Sequence, residues 1–297
     1  MPVCFIKENK EKNSFKLIFG KIKQEKIDNN NLILLPMGNN NKIYKRRIKQ
    51  AITIIQNQSI KSVVLSNYLA NILVLKSELL NNGISIIDGT ILLKMLLNEI
   101  LEYICITGKT SMEKLKISII TNNISNTNKQ TIIELANKVK TINIVTQNQR
   151  ELKKIEEYLY NEMGIILKLS HNIDKTCNII INLDNNQEEL NKYNIPSNSI
   201  IININGNIKI NAKKFSGINI NSYNIEMPNK YKIQDFEDKL AYESLIIGKE
   251  YNQIRKQIKE DKIQIKNLIG EKGIINDKEF IIFSWQNVIS NVILLNH

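Results

Sequence analysis

Short apolar runs alternate with amphipathic stretches along most of the chain, a pattern that predicts a succession of strands and helices. Residues 3–7, 14–20 and 31–36 read as strands. In residues 42–56, Tyr44, Ile48, Ala51, Ile52 and Ile55 recur at spacings of three and four, which predicts a helix with a basic outer face. Residues 61–66 hold the β-branched Val63 and Val64 and read as the next strand. A helix over 70–80 closes at Asn81-Asn82-Gly83, where a glycine suits the left-handed position past a helix end. Residues 84–87 form a strand, Asp88-Gly89-Thr90 a turn, and 91–103 a helix rich in Leu, Ile and Met. Strand, helix, strand, helix in this order calls for parallel pairing with crossovers.

The alternation restarts after Gly108-Lys109-Thr110-Ser111, with strands at 116–121, 141–146, 165–169 and 178–183 and helices at 128–139 and 150–163. Tyr158 and Tyr160 in the latter helix read as packing residues. Beyond Asp184 a short helix is expected at 187–193. Alternating Ile on both sides of Asn205-Gly206 then predicts a β-hairpin over 200–210, because Asn-Gly accepts the positive φ angles of a type I′ turn. Residues 234–268 read as charged amphipathic helix interrupted at Gly248, and 280–295 as a small apolar segment. The expected fold class is α/β, two α/β units in series with a C-terminal hairpin and helical segment. The domains expected are 1–108, 109–225 and a mainly helical 226–297 packing on the others.

Composition changes this picture at the N-terminus. Of 41 Lys and Arg only Arg46, Arg47, Arg150 and Arg255 are arginines, in a chain rich in Ile and Asn. Lys, Ile and Asn share A/U-rich codons, so nucleotide bias accounts for much of the +12 net charge. Residues 1–50 nevertheless carry twelve Lys and Arg against four Asp and Glu, a net of +8. Lys45, Arg46 and Arg47, beside Lys42 and Lys49, form the densest cluster, a candidate surface for nucleic-acid phosphates. Lysine lacks the planar fork that makes arginine the preferred reader of phosphate.

No run approaches the ~20 apolar residues of a membrane helix, and the first residues lack the order of a signal peptide, so a soluble, cytoplasmic protein with no membrane partner is expected. Cys4, Cys105 and Cys177 are scattered without metal-ligand spacing and read as buried thiols. His171 and His297, the only histidines, cannot build a conventional histidine-centred metal site.

The strand Lys116-Ile117-Ser118-Ile119-Ile120-Thr121, the segment Ile142-Asn143-Ile144-Val145-Thr146-Gln147-Asn148-Gln149-Arg150 and the later Cys177-Asn178-Ile179-Ile180-Ile181-Asn182 carry a resemblance. Over residues 114–184 the chain resembles the Rossmann domain of the shikimate dehydrogenase and glutamyl-tRNA reductase group, in which one strand ends in an Asn-Arg-Thr-like sequence and a later one reads Ala-Asp-Ile-Ile-Ile-Asn. The resemblance implies a Rossmann-like second unit, NADP or NAD as cofactor, and Arg150 at the position that meets the 2′-phosphate of NADP. The departure lies in the first turn. A Rossmann turn needs glycines so that backbone can approach the pyrophosphate. Here it reads Thr121-Asn122-Asn123-Ile124-Ser125-Asn126-Thr127-Asn128, without a glycine.

Asn122, Asn123, Ser125 and Asn126 can still donate hydrogen bonds to an anion, and with Arg150 they are the candidate cofactor contacts; as helix caps they would serve structure alone. Asp88 and Thr90, at the carboxyl end of an expected strand, and Lys94 one turn later are the candidate substrate contacts. No proton-transfer pair stands out. The leading expectation is a two-domain α/β protein with a degenerate Rossmann-like unit, binding a small ligand or nucleotide between its domains without catalysis. The first alternative is an NAD(P)-dependent oxidoreductase of the shikimate dehydrogenase type, the second a nucleic-acid-associated protein acting through Lys45, Arg46 and Arg47.

Overall fold

A computed structural model describes residues 2–9, 21–27, 30–36, 41–123, 125–206, 208–210 and 215–281. The strand expected at 14–20 and all but the first two residues of the apolar segment at 280–295 lie outside them. The chain forms two compact units, one of Met1–Gly89 with Met227–Glu250, the other of Thr90–Glu226 with Tyr251–His297. Residues 90–108 thus group with the second unit and 227–250 with the first.

The first unit is built on strands β1 (Val3–Asn9), β2 (Lys23–Ile27), β3 (Asn30–Pro36), β4 (Ser62–Leu65) and β5 (Ser85–Ile86), in the spatial order β2-β3-β1-β4-β5. Among these described strands only β2 runs antiparallel to its neighbour. Helix α1 (Asn41–Asn57) buries Tyr44, Ile48, Ala51, Ile52 and Ile55, the stripe read from the sequence. That stripe and Leu75 and Leu79 of α2 (Leu73–Asn81) cover one face of the sheet. Each fully buried large side chain contributes roughly 1.5–3 kcal/mol, which outweighs the weak helix propensity of the β-branched residues in α1. Gly83 follows α2 with φ +73°, as its sequence position predicts.

The other face explains why residues 227–250 join this unit. Phe236 and Leu240 pack on Val3, Phe5, Leu32, Leu34 and Val64. Phe5 and Phe236 meet edge to face at 5.0 Å, and Lys7 pairs with Asp235 at 3.6 Å. Leu240 lies on helix α8 (Asp238–Ile246), which ends before Gly248, the expected interruption, at φ +81°.

In the second unit the stretch read as one helix over 91–103 is two, α3 (Thr90–Met95) and α4 (Leu97–Thr107), divided at Leu96. The strands are β6 (Lys116–Ile120), β7 (Thr141–Val145), β8 (Lys168–Ser170), β9 (Ile179–Asn182), β10 (Ile200–Asn203) and β11 (Ile218–Glu226), followed by β12 (Gln264–Gly270) and β13 (Gly273–Ile274). Helices α5 (Asn126–Ala136), α6 (Gln149–Met163), the short α7 (Gln187–Leu190) and α9 (Tyr251–Glu260) intervene. In space the strands run β13-β12-β11-β10-β9-β6-β7-β8. The six from β8 to β11 are mutually parallel, and β12 and β13 add antiparallel pairs at the far edge. Numbered by chain order, the parallel six stand 3-2-1-4-5-6, the doubly wound Rossmann arrangement. The second unit is Rossmann-like.

The hairpin expected at 200–210 does not form. β10 is a central strand, parallel to β9 on one side and β11 on the other, so both of its hydrogen-bonding edges are taken before Asn205-Gly206. The backbone N–H groups of Ile208, Lys209 and Ile210 go instead to the side chains of Asn221, Gln187 and Glu271. The C-terminal hairpin is formed by β12 and β13, with Gly273 at φ +107°. Residues 264–268, expected as helix, belong to β12; Ile263 and Ile265 alternate with Gln264 and Lys266, a strand period that the surrounding charge disguises.

Tyr158 and Tyr160 are exposed rather than packed, because Leu152, Ile155 and Leu159 already supply the buried stripe of α6. Arg255 is buried, with Nη1 donating to the Met95 carbonyl and pairing with Glu99 at 3.0 Å. This ties α9 to α3 and α4.

Candidate functional site

In a doubly wound sheet the ligand crevice opens at the carboxyl ends of the strands, where the strand order reverses. In the second unit that point lies between β6 and β9. Asp184 stands two residues past the end of β9 and reaches across it. Its Oδ2 accepts from the Thr121 hydroxyl at 2.6 Å and from the Asn123 backbone N–H at 2.9 Å. The Asn122 N–H donates to both carboxylate oxygens, at 3.1 and 3.2 Å. The two N–H groups that open the turn after β6, those that would face a bound anion, are therefore satisfied by the chain's own carboxylate.

The Asn122 side chain is equally engaged. Its Nδ2 donates to Asn185 Oδ1 at 2.9 Å and its Oδ1 accepts from the Gln147 N–H at 2.9 Å, joining the ends of β6, β7 and β9. Ser125 caps α5, its hydroxyl accepting from the Asn128 N–H at 3.1 Å. Asn126 is exposed in the first turn of that helix, and Arg150 is exposed at the second position of α6.

Lys94, one of the expected substrate contacts, belongs to the same neighbourhood. Its Nζ donates to Asn128 Oδ1 at 3.2 Å, and Asn128 in turn donates to the Asn123 carbonyl at 2.8 Å. Burial lowers the Lys94 pKa, and the negative charge of Asp184 opposes that shift. The structure thus brings Lys94, Asn122 and Asn123 together around Asp184 and Asn128. Asp88 follows β5 in the first unit and is exposed, while Thr90 opens α3 in the second.

A row of buried asparagines continues along the strand ends. Asn182 and Asn203 are register partners on β9 and β10, and Asn182 Nδ2 donates to Asn203 Oδ1 at 3.3 Å. Asn203 Nδ2 donates to Asn219 Oδ1 at 2.7 Å and to Asn221 Oδ1 at 2.9 Å on β11. Sequence reading missed Asp184 and this row. The available signal was an asparagine closing each of two Ile-Ile-Ile-Asn strands, Ile179–Asn182 and Ile200–Asn203.

The basic cluster of the first unit is narrower than its sequence implies. Lys45 and Arg46 are exposed, but Arg47 is buried on the inner side of α1 and cannot belong to an outer phosphate-binding face. The reason is helical geometry: Arg47 falls three residues after Tyr44, on the buried stripe. Among the described residues no group of His, Cys, Asp and Glu could hold a metal ion. No helix among them is long and apolar enough to cross a membrane.

No family model matches the chain, and no curated protein matches it. Solved structures do. L-tryptophan dehydrogenase from Nostoc punctiforme matches at 7% identity and a TM-score of 0.32, over 72% of this chain and 64% of that one. The match therefore spans less than two thirds of that dehydrogenase. Shikimate 5-dehydrogenase from Listeria monocytogenes, solved with shikimate and NAD, matches at 14% identity and a TM-score of 0.31 over 74% of this chain and 86% of that one. The catalytic subunit of M. jannaschii aspartate transcarbamoylase matches at 12% identity and a TM-score of 0.31, over 88% of this chain and 86% of that one.

A dinucleotide does not fit the residues present. Its pyrophosphate would lie on the N–H groups that Asp184 already holds, against a carboxylate of like charge. Two like charges about 4 Å apart repel by about 4 kcal/mol at a surface-like dielectric of about 20. The helix N-terminus returns about 0.3–1 kcal/mol, too little to offset this.

Proposed function

We propose that this chain is a ligand-binding α/β protein whose Rossmann-like unit works without a dinucleotide and without hydride-transfer chemistry. A small polar ligand would take the carboxyl edge of the second sheet beside Lys94, Asn123 and Asp184. The observation that carries this reading is the bridge from Asp184 to Thr121, Asn122 and Asn123 across the switch point. Lys94 and Asp184 supply one charge of each sign at that edge, which suits a neutral or zwitterionic molecule better than a polyanion.

Thermal denaturation in the presence of NAD⁺, NADP⁺ and their reduced forms tests the reading. No dinucleotide is expected to raise the midpoint. Stabilisation by NADP⁺ that is abolished in Arg150→Ala would overturn it in favour of the oxidoreductase alternative, with Arg150 at the 2′-phosphate.

A further inference from the structure

We propose that Asp184 is an internal ligand: it fills an oxyanion site formed by the Thr121 hydroxyl and the Asn122 and Asn123 N–H groups, and its removal makes that site available to inorganic phosphate. The inference rests on the reading above that the carboxylate stands where an anion would otherwise bind.

Three donors from one turn converge on a single carboxylate at 2.6 to 3.2 Å, the geometry of charge-assisted hydrogen bonds. Successive backbone N–H groups turned toward one point form an anion-binding concavity, here just ahead of the eleven-residue helix α5. Lys94, whose pKa the negative charge of Asp184 raises against the effect of burial, stands in the same neighbourhood and donates to Asn128 Oδ1 at 3.2 Å.

The loop that carries Asp184 is fixed. Asn185 N–H donates to Asn182 Oδ1 at 3.0 Å, and Asn182 Nδ2 donates to the Asn185 carbonyl at 2.9 Å. With its neighbour held in this way, the Asp184 side chain is presented to the turn at a reduced ordering cost. A second open donor stands beside this turn. Asn185 is buried, and its Nδ2 has no hydrogen-bond partner although its Oδ1 accepts from Asn122. A buried amide donor left open beside the turn is a group that an oxyanion admitted in place of the Asp184 carboxylate could satisfy.

The experiment compares full-length wild type, Asp184→Ala and Asp184→Ser by circular dichroism and thermal denaturation, in potassium phosphate and in potassium chloride of equal ionic strength. Asp184→Ala is expected to melt lower than wild type in chloride and to recover in phosphate. At about ten times the dissociation constant, ligand linkage gives an upward shift of about 3 °C for a unit of this size. Wild type is expected to show none. A cooperatively folded Asp184→Ala that phosphate does not stabilise would overturn the proposal, as would an equal shift in wild type. If Asp184→Ala fails to fold, Asp184→Ser carries the same test, because its short side chain withdraws the carboxylate from the turn donors while keeping a polar group in the loop. Phosphate stabilisation of that variant supports the proposal and its absence refutes it. A wild-type shift with NADP⁺ alone would instead sink the dinucleotide-free function, so the two failures are distinguishable.

Discussion

Arg47 on α1 turns back under the helix and donates from Nη1 to the carbonyl of Pro36, the last residue of β3, at 2.8 Å. The guanidinium is buried, and burial lowers its pKa. It therefore works inside the first unit, holding the start of the crossover helix to the end of the strand before it.

Replacing Arg47 should for that reason cost stability rather than affinity for a partner. A hydrogen bond to a charged group contributes about 1.5–3 kcal/mol, and Arg47→Ala should lose at least that much in urea denaturation. Arg46→Ala, on the exposed side of the same helix, should change stability by less than about 0.5 kcal/mol. Equal effects of the two substitutions would contradict the placement of Arg47.

Asn203 is the next position where one side chain holds several others. It takes a hydrogen bond from Asn182 and gives hydrogen bonds to Asn219 and Asn221, so β9, β10 and β11 are joined at one point by side chains as well as by backbone. Asn203→Leu removes all three hydrogen bonds and inserts a larger apolar side chain; Asn219 Oδ1 loses its Asn203 donor, while Asn182 keeps the Asn185 carbonyl and Asn221 keeps the Ile208 N–H. An unsatisfied group costs about 1–3 kcal/mol and overpacking about 1–3 kcal/mol, so a total loss of about 2 kcal/mol or more is expected. The loss should concentrate in faster amide exchange of β10 and β11; a variant with wild-type stability and exchange would show the row to be incidental.

What was legible in the chain follows from the range of the interactions involved. The alternation of strand and helix, the stripe of α1 and the turn at Gly83 depend on residues within a few positions of one another, and each was readable. The hairpin at Asn205-Gly206 was misread because a local turn signal competes with partners far along the chain, β9 and β11, that claim both edges of β10. Asp184 escaped notice for the same reason: its partners Thr121, Asn122 and Asn123 lie some sixty positions earlier. The missing glycines marked the turn as unusual, yet they could not say which group would occupy it.

Asp174 gives a prediction in acid. The backbone N–H and hydroxyl of Thr176 hold its carboxylate, with help from Lys168 at 3.2 Å, and bring its pKa down to about 2. The folded state thus binds this proton less readily than the unfolded chain. The resulting stability is fully present above the unfolded value of about 3.9 and is lost as pH falls toward the folded one. Asp174→Ala should be less stable than wild type at about pH 6, and the gap should close by about pH 2, where the wild-type carboxylate also protonates. A gap that is unchanged over this range would show that the carboxylate charge is not what Thr176 stabilises.

The three cysteines give the opposite prediction in alkali. Cys4, Cys105 and Cys177 are buried, and burial pushes their thiols up to about 12, 11 and 11. A raised pKa means that the folded state keeps the proton that the unfolded chain gives up. The stability so contributed is present below the unfolded value of about 8.5 and is lost as pH climbs toward the folded values. Unfolding free energy should therefore decline between about pH 8.5 and 11, and the decline should be shallower in Cys177→Ala, which has one fewer thiol to ionise on unfolding. The same burial keeps the thiolate, the reactive form, out of reach. At about pH 8 the folded protein should show no rapid reaction with a disulfide reagent, and all three thiols should react once it is unfolded. Fast labelling of even one thiol in the folded state would place that cysteine in an open, polar setting and contradict the packing described here.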